Sequence, residues 1–298
     1  MNQKIIEKAK ERIEKRKISA ENAALQNKIK AFEDPSFKVI YQKYVDQMIE
    51  NARSGKTEDL SFLKSQIEKK LKNLGIGSIE PQYYCSKCGD NGIVDGKYCS
   101  CFTEVVNELL KDESGFGKLE DFASSRFDIF DDPETMKKIY SKMKEWCSSP
   151  FNKTLIFVSG DTGTGKTHLV KCMANELIAH HHLVNLTTAF AMNQDFMKSY
   201  SSKDLEKKQD ILSKYLDSEI LVIDDLGTEI RNPYVTNNFL YQVLNERKNK
   251  HLPTIITSNL DLKDLQDYYD ERVSSRIIDK ATSICLQIKG ADLRLKQK

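Results

Sequence analysis

Apolar residues recur at three- and four-residue steps through the first 76 positions, and strand-like runs are almost missing there. Leu25, Ile29 and Phe32 share one helix face. Phe37, Tyr41, Tyr44, Val45 and Met48 make a second stripe, and Leu60, Leu63, Ile67, Leu71 and Leu74 a third. The run from Asn51 to Gly55 separates the last two helices, with Asp59 or Ser61 placed to cap the later one. These stripes are expected to pack on one another as a small bundle. A bundle this size has little core, so part of a stripe can stay exposed to grip a partner.

Gly75-Ile76-Gly77-Ser78 breaks the helical pattern, and residues 83–102 form a short segment rich in cysteine and glycine. Residues 103–118 read as a helix running into a linker at 113–118. After Pro150 the pattern alternates: strand 154–159, helix 166–180, strand 183–188, helices across 191–216, strand 219–224, helix 234–250, strand 254–258, helices 261–279, strand 282–288. Strands separated by helices predict an α/β fold with a parallel sheet covered on both faces. The expected division is 1–82 helical, 83–102 cysteine element, 103–119 helix and linker, and 120–298 α/β domain.

Charge changes this picture slightly. The net charge of the 298 residues is +2, but residues 1–80 carry 17 Lys/Arg against 12 Asp/Glu, a surplus of +5. Acidic partners or phosphates would meet such a region, and a solvated helix surface explains it equally. No apolar run reaches the ~18 residues of a membrane span, and the N-terminus lacks the apolar segment of a secretory signal. A cytoplasmic chain without membrane attachment is expected, with reduced thiols.

The strand at 154–158 ends in Gly160-Asp161-Thr162-Gly163-Thr164-Gly165-Lys166-Thr167, followed by the helix-compatible run from His168. This matches G-x-x-x-x-G-K-[ST] in its strand-before, helix-after setting. The glycines let backbone N–H groups turn inward around phosphate oxygens, and the helix N-terminus adds its positive dipole end. Lys166 reaches the β- and γ-phosphates of ATP, and the Thr167 hydroxyl ligates Mg²⁺. The next acidic strand, Glu219-Ile-Leu-Val-Ile-Asp224-Asp225, places two carboxylates at a strand's carboxyl end beside that loop. Asp224 is positioned for Mg²⁺, and Asp225 for the attacking water, with Glu229 as a fallback base. Asn259 ends a fourth strand at the same edge and can reach the γ-phosphate or the water. Arg272 and Arg276 lie four apart on one helix face. One of them is either a finger for a neighbouring subunit's phosphate or part of a surface salt bridge.

The runs GDTGTGKTHL (160–169), ILVIDDLGTE (220–229), FLYQVLNERKNKHLPTIITSNL (239–260), ERVSSRI (271–277) and GADLR (290–294) resemble the AAA+ superfamily, and within it the bacterial DnaC/DnaI-type replicative helicase loaders. The resemblance implies Walker B at Asp224 and Asp225, sensor 1 at Asn259, an arginine finger at Arg276 with Arg272 second, and a sensor 2 role for Arg294. It includes His168 in the nucleotide-binding run.

Cys85-x₂-Cys88, ten residues, then Cys99-x-Cys101 supplies four thiolates of the kind that close a structural Zn²⁺ site. Asn91-Gly92 and Asp95-Gly96 can fold the segment as a hairpin, and strand alternation puts Cys99 and Cys101 on one side. Cys147, Cys172 and Cys285 read as packing residues, and His180–His182 as a helix end. A helical region, a zinc element and an AAA+ module form the layout of the DnaI-like loaders. That resemblance implies a hexameric replicative helicase and single-stranded DNA as partners, and self-association through the AAA+ modules. Transposition helper ATPases share the core, so a transposition or phage-replication helper, or a nucleotide-binding adaptor with negligible hydrolysis, is the alternative to an ATP-dependent loader with slow, partner-regulated hydrolysis.

Overall fold

The computed structural model describes residues 3–55, 58–148, 153–230 and 232–295, and the Pro150 boundary lies outside them. The chain divides into two units, Lys10–Cys101 and Met1–Ala9 with Phe102–Lys298.

The helical stripes fold as α1 (Gln3–Ala31), α2 (Pro35–Ser54) and α3 (Ser61–Asn73), with α1 from Lys10 onward, α2 and α3 in the unit Lys10–Cys101. Asp34 starts α2 by accepting the Phe37 N–H at 2.8 Å, with Pro35 in the first turn, where its missing N–H costs nothing. The Ser36 hydroxyl, that N–H and Lys70 of α3 at 3.0 Å hold the Asp34 carboxyl down at about 2. Helix α2 keeps Asn51–Ser54 and ends only at Gly55, whose φ of 67° suits a residue without Cβ. At α3, Leu60 is the cap and makes no side-chain bond, while Asp59 accepts the Ser61 N–H at 2.8 Å. Phe37, Ile67, Leu71 and Ala31 are buried together, with Phe32 edge-on to Phe37. Leu25, Ile29 and Met48 are about half exposed, so each stripe is only partly used for packing.

Two short strands, β1 (Ile93–Val94) and β2 (Lys97–Tyr98), pair antiparallel around Asp95-Gly96. Both turn residues have positive φ, as a two-residue hairpin with right-handed strand twist requires. Helix α4 (Ser100–Ser114) follows. Cys101 therefore lies in the first turn of a helix, and strand alternation is not what aligns it with Cys99.

In the second unit the elements are α5 (Pro133–Ser148), β3 (Leu155–Gly160), α6 (Lys166–Ala179), β4 (Val184–Thr188), α7 (Ala189–Ser201), α8 (Leu205–Leu216), β5 (Ile220–Leu226), α9 (Pro233–Asn249), β6 (Thr254–Ser258), α10 (Leu262–Tyr268), α11 (Glu271–Ile277) and β7 (Ser283–Ile288). The five strands β3 to β7 form one parallel sheet in the order β4-β5-β6-β3-β7. Alternation divides β3, β5 and β6 between two cores. Ile156, Val158, Ile220, Val222 and Ile255 face the core containing α5 and α6 residues. Leu155, Phe157, Leu221, Ile223 and Ile256 face the core built by α7, α8, α9 and α11. Helix α5 has no counterpart in the sequence reading, though Met136, Tyr140, Met143 and Cys147 recur at helical steps and are all buried.

Asn107 of α4 anchors the start of β4, donating to the His182 carbonyl at 2.8 Å and accepting the Val184 N–H at 3.0 Å. His182 pairs through Nδ1 with the Glu219 carboxylate, a use beyond the expected helix end. Cys147 and Cys172 are buried as expected, whereas Cys285 is exposed on the edge strand β7. No described helix is long and apolar enough to cross a membrane.

Candidate functional site

After β3 the chain skips two strand positions to form β4, then returns through β5 and β6 to lie beside β3. Such a reversal opens a crevice at the carboxyl ends of the strands, and the loop 160–165 enters it. Two glycines of the loop have no room for a side chain. A Cβ on Gly160 would lie 2.1 Å from the Ile288 carbonyl oxygen, and one on Gly163 2.0 Å from Asp292 Oδ1. Thr164 is buried and closes the turn by donating its hydroxyl to the Asp161 carbonyl at 2.8 Å.

Lys166 opens α6 with its ammonium inside the loop. It donates to the Gly160 carbonyl (2.7 Å), the Asp161 carbonyl (2.8 Å) and Asn259 Oδ1 (2.7 Å). Burial pushes its pKa below the ordinary lysine range, against the pull of Asp225 and Asp224. Thr167 donates its hydroxyl to both Asp224 oxygens, at 3.1 and 3.2 Å. Thr257 donates to Asp224 Oδ1 at 2.5 Å and accepts the Asp225 N–H at 2.9 Å. Burial pushes the Asp224 carboxyl above the ordinary range. Asp225 holds a left-handed φ of 57°, uncommon for a residue with Cβ, and faces the cleft.

That cleft has a volume of about 450 Å³, within the range of small-molecule sites. Thr162, Gly163, Gly165, Lys166, Thr167, His168, Asp225, Asn259 and Arg294 line it, bringing most of the expected residues together. The opposite wall is Ser124, Arg126, Ile129, Phe130 and Leu293, none of which the sequence reading singled out. Phe130 packs near Phe127 and Tyr140, so the aromatic run of residues 122–130 was the available signal. His168 meets the Tyr140 hydroxyl through Nδ1 at 3.0 Å, and burial pushes its pKa down, which favours the neutral ring.

Of the other expected residues, Gly160, Asp161, Thr164 and Asp224 bond to those lining the cleft or lie beside them in the chain without lining it, and three more make their bonds elsewhere. Glu229 is buried, accepting the Gly227 N–H at 2.9 Å and the Tyr269 hydroxyl, so it braces its own loop. Arg276 donates from Nε to Asn245 Oδ1 at 3.0 Å and lies over the Tyr241 ring. Arg272 packs on the same ring and pairs with Asp270 at 2.8 Å.

In the other unit, the sulfurs of Cys85, Cys88, Cys99 and Cys101 all lie within 4.8 Å of one another. Cys85–Cys99 and Cys88–Cys101 are 3.7 and 3.4 Å apart. A tetrahedron with metal–sulfur bonds of about 2.3 Å has edges of about 3.8 Å, so the four thiols fit Zn²⁺. Asp90 is buried beneath them and accepts the Tyr84 and Cys85 N–H groups at 2.9 and 2.8 Å. The Gly92 N–H points at Cys88 Sγ from 3.3 Å, a donor suited to a thiolate.

The sequence profile of the IstB-like ATP binding protein family matches residues 119–298. The phage-like element PBSX protein XkdC of Bacillus subtilis is 26% identical over 235 residues, covering 73% of this chain and 86% of that protein. The replicative helicase loader DnaI of the same organism is 23% identical over 266 residues, covering 77% and 83%. The replicative helicase loader DnaC of Buchnera aphidicola subsp. Baizongia pistaciae is 27% identical over 146 residues, covering 48% of this chain and 58% of that protein.

Proposed function

The chain belongs to the IstB-like ATP binding protein family of AAA+ ATPases, and from that premise we propose that it loads a hexameric replicative DNA helicase onto single-stranded DNA. The observation that carries this reading is the reach of its likeness to DnaI. An alignment of 266 residues is longer than 119–298 can supply, so it extends into the helical and cysteine-bearing region. An ATPase core alone is common to many tasks.

On this reading residues 1–82 grip the helicase, 83–102 hold Zn²⁺ through Cys85, Cys88, Cys99 and Cys101, 103–119 connect, and 120–298 bind ATP. Lys166 and the backbone of 160–165 cradle the phosphates, Thr167 and Asp224 supply Mg²⁺ ligands, and Asp225 with Asn259 positions water. Arg276 serves a neighbouring copy as the finger, since it lines no part of its own cleft. The Asp at 225 is a short acid for activating water, so turnover is slow and set by partners.

The test uses the host's replicative helicase. Lys166→Ala protein should still retain it in a pull-down but fail to deliver it in a strand-displacement assay. Normal delivery by that variant would sink the ATP-switch idea. The likeness to XkdC favours a second reading, a phage-replication helper, and failure to retain the chromosomal helicase would select it.

A further inference from the structure

Chain beyond β7 folds back over the phosphate loop. Ala291 donates its N–H to Asp131 Oδ2 at 2.8 Å, and Leu293 donates its N–H to the Gly163 carbonyl at 3.0 Å. Between these two anchors the Asp292 carboxylate lies against the bare Cα of Gly163, where a Cβ would be 2.0 Å from Oδ1. The same carboxylate takes the Arg294 guanidinium in a fork, with Nε at 2.9 Å from Oδ1 and Nη2 at 2.6 Å from Oδ2, and also accepts the Arg294 N–H at 3.0 Å. Arg294 in turn lines the cleft, near enough that its charge disfavours that of Lys166.

A forked Arg–carboxylate pair has the geometry an arginine uses for phosphate. We propose that Asp292 is a built-in competitor for the nucleotide's phosphates, holding Arg294 at the lip of the phosphate loop so that polyphosphate must displace it. This rests on the reading of the cleft as an ATP site and adds its regulation. Asp292 is then a positioning residue that weakens binding. Its fixed negative charge beside Gly163 opposes incoming phosphate, and its fork occupies the one cleft arginine on the C-terminal strap. Both effects have the same sign.

The experiment titrates a fluorescent ATP analogue with Mg²⁺ into the full chain as wild type, D292N, R294A, D292N/R294A and K166A, at low and high salt. The amide introduced by D292N keeps an acceptor for the Arg294 N–H and the shape of the turn, so the fold is retained. D292N should bind about two- to fivefold more tightly at low salt, the range of an exposed ion pair. That gain should shrink toward unity near 1 M salt, where charges are screened beyond about 3 Å. It should also shrink in the R294A background. Unchanged or weaker binding by D292N beside normal wild-type binding overturns the proposal alone. The same gain with and without Arg294 overturns the competition for it. Equal binding by wild type and K166A overturns the ATP-site reading instead.

Discussion

Among the described residues Arg247 is the largest fully buried side chain, 1% exposed, and no carboxylate accepts from it. Nε donates to Thr254 Oγ1 at 2.9 Å. Nη1 donates to the carbonyls of Tyr215 (2.9 Å) and Ser218 (2.8 Å) and to Ser218 Oγ (3.1 Å), and Nη2 to the carbonyls of Glu219 (3.2 Å) and Pro253 (2.7 Å). Burial pushes its pKa down to about 9, so it stays charged at neutral pH. These acceptors precede or open β5 and β6, so one guanidinium fastens the amino ends of the two strands that carry Asp224 and Asn259 toward their other ends. Arg247→Met keeps much of the volume and removes every donor. The carbonyls of Tyr215, Ser218 and Glu219 then lose this buried partner at about 1–3 kcal/mol each. Relief from burying a charge offsets part, as replacing buried ions by apolar groups of like volume can recover about 1–4 kcal/mol. The net expectation is a loss of about 3 kcal/mol, a large share of the roughly 5–15 kcal/mol that holds a domain together. Arg247→Lys retains the charge with fewer, unforked donors and should lose at least as much. Trp146, the single tryptophan, lies in the core of the same unit and reports its unfolding by fluorescence. With an m-value of about 2 kcal/mol/M the urea midpoint should fall by about 1.5 M. A shift under about 0.5 M would refute the reasoning.

Other outcomes follow from single features. Metal analysis should find one equivalent of zinc in the wild type and none in Cys85→Ser, and equal zinc in the two would remove Cys85 from the ligand set. Asp34 is held at about 2 against 3.8 when unfolded, so its contribution to the helical unit is present above pH 3.8 and is lost as pH falls toward 2. Far-UV circular dichroism of wild type and Asp34→Asn should diverge above that window and converge below it. Gly163→Ala places a methyl where Asp292 sits, and it should weaken nucleotide binding at least tenfold even where the fold survives. Wild-type affinity in a nucleotide titration would show that the strap yields freely. Glu229→Gln should lower stability by about 1–2 kcal/mol through its bonds to Gly227 and Tyr269, with turnover per folded molecule nearly unchanged. A turnover loss of a hundredfold or more would restore it as a base.

Legibility followed the range of the forces involved. Every strand from β3 to β7 lies within two residues of its predicted span, and in β3 and β5 the reason is a continuous buried apolar run bounded by polar residues. The phosphate loop and the acids near the end of β5 are each short contiguous segments, and the topology joins them at one sheet edge. The wall formed by residues 124–130 was hard to read because its aromatic residues have no regular period, and only tertiary packing sets Phe130 against Gly165 of the loop. Glu229 misled for the same reason. Its position after an acidic strand suggests chemistry, yet Tyr269, forty residues on, claims its carboxylate. Cys101 shows the reverse: the thiol cluster was readable from spacing while the local structure aligning it was not. A helix turn brings it beside Cys88 as well as a strand would.

Lys166 and Asn259 satisfy one another inside the cleft, and that bears on how it works. The Lys166 ammonium has three acceptors, two of them carbonyls of the loop it must serve and the third Asn259 at the end of β6. Phosphate oxygens compete for the same three N–H donors, so binding exchanges partners and does not fill orphaned ones. Of the three bonds, only that to Asn259 reaches beyond the loop to another strand. Its loss or reorientation is therefore the change that the neighbouring β5–β6 edge can register, and Thr257 links that edge to both Asp224 and Asp225. A lysine that must give up bonds before it can act binds more weakly than a free one. In return its occupancy is coupled to the strand ends where the two acids sit, the coupling a switch requires.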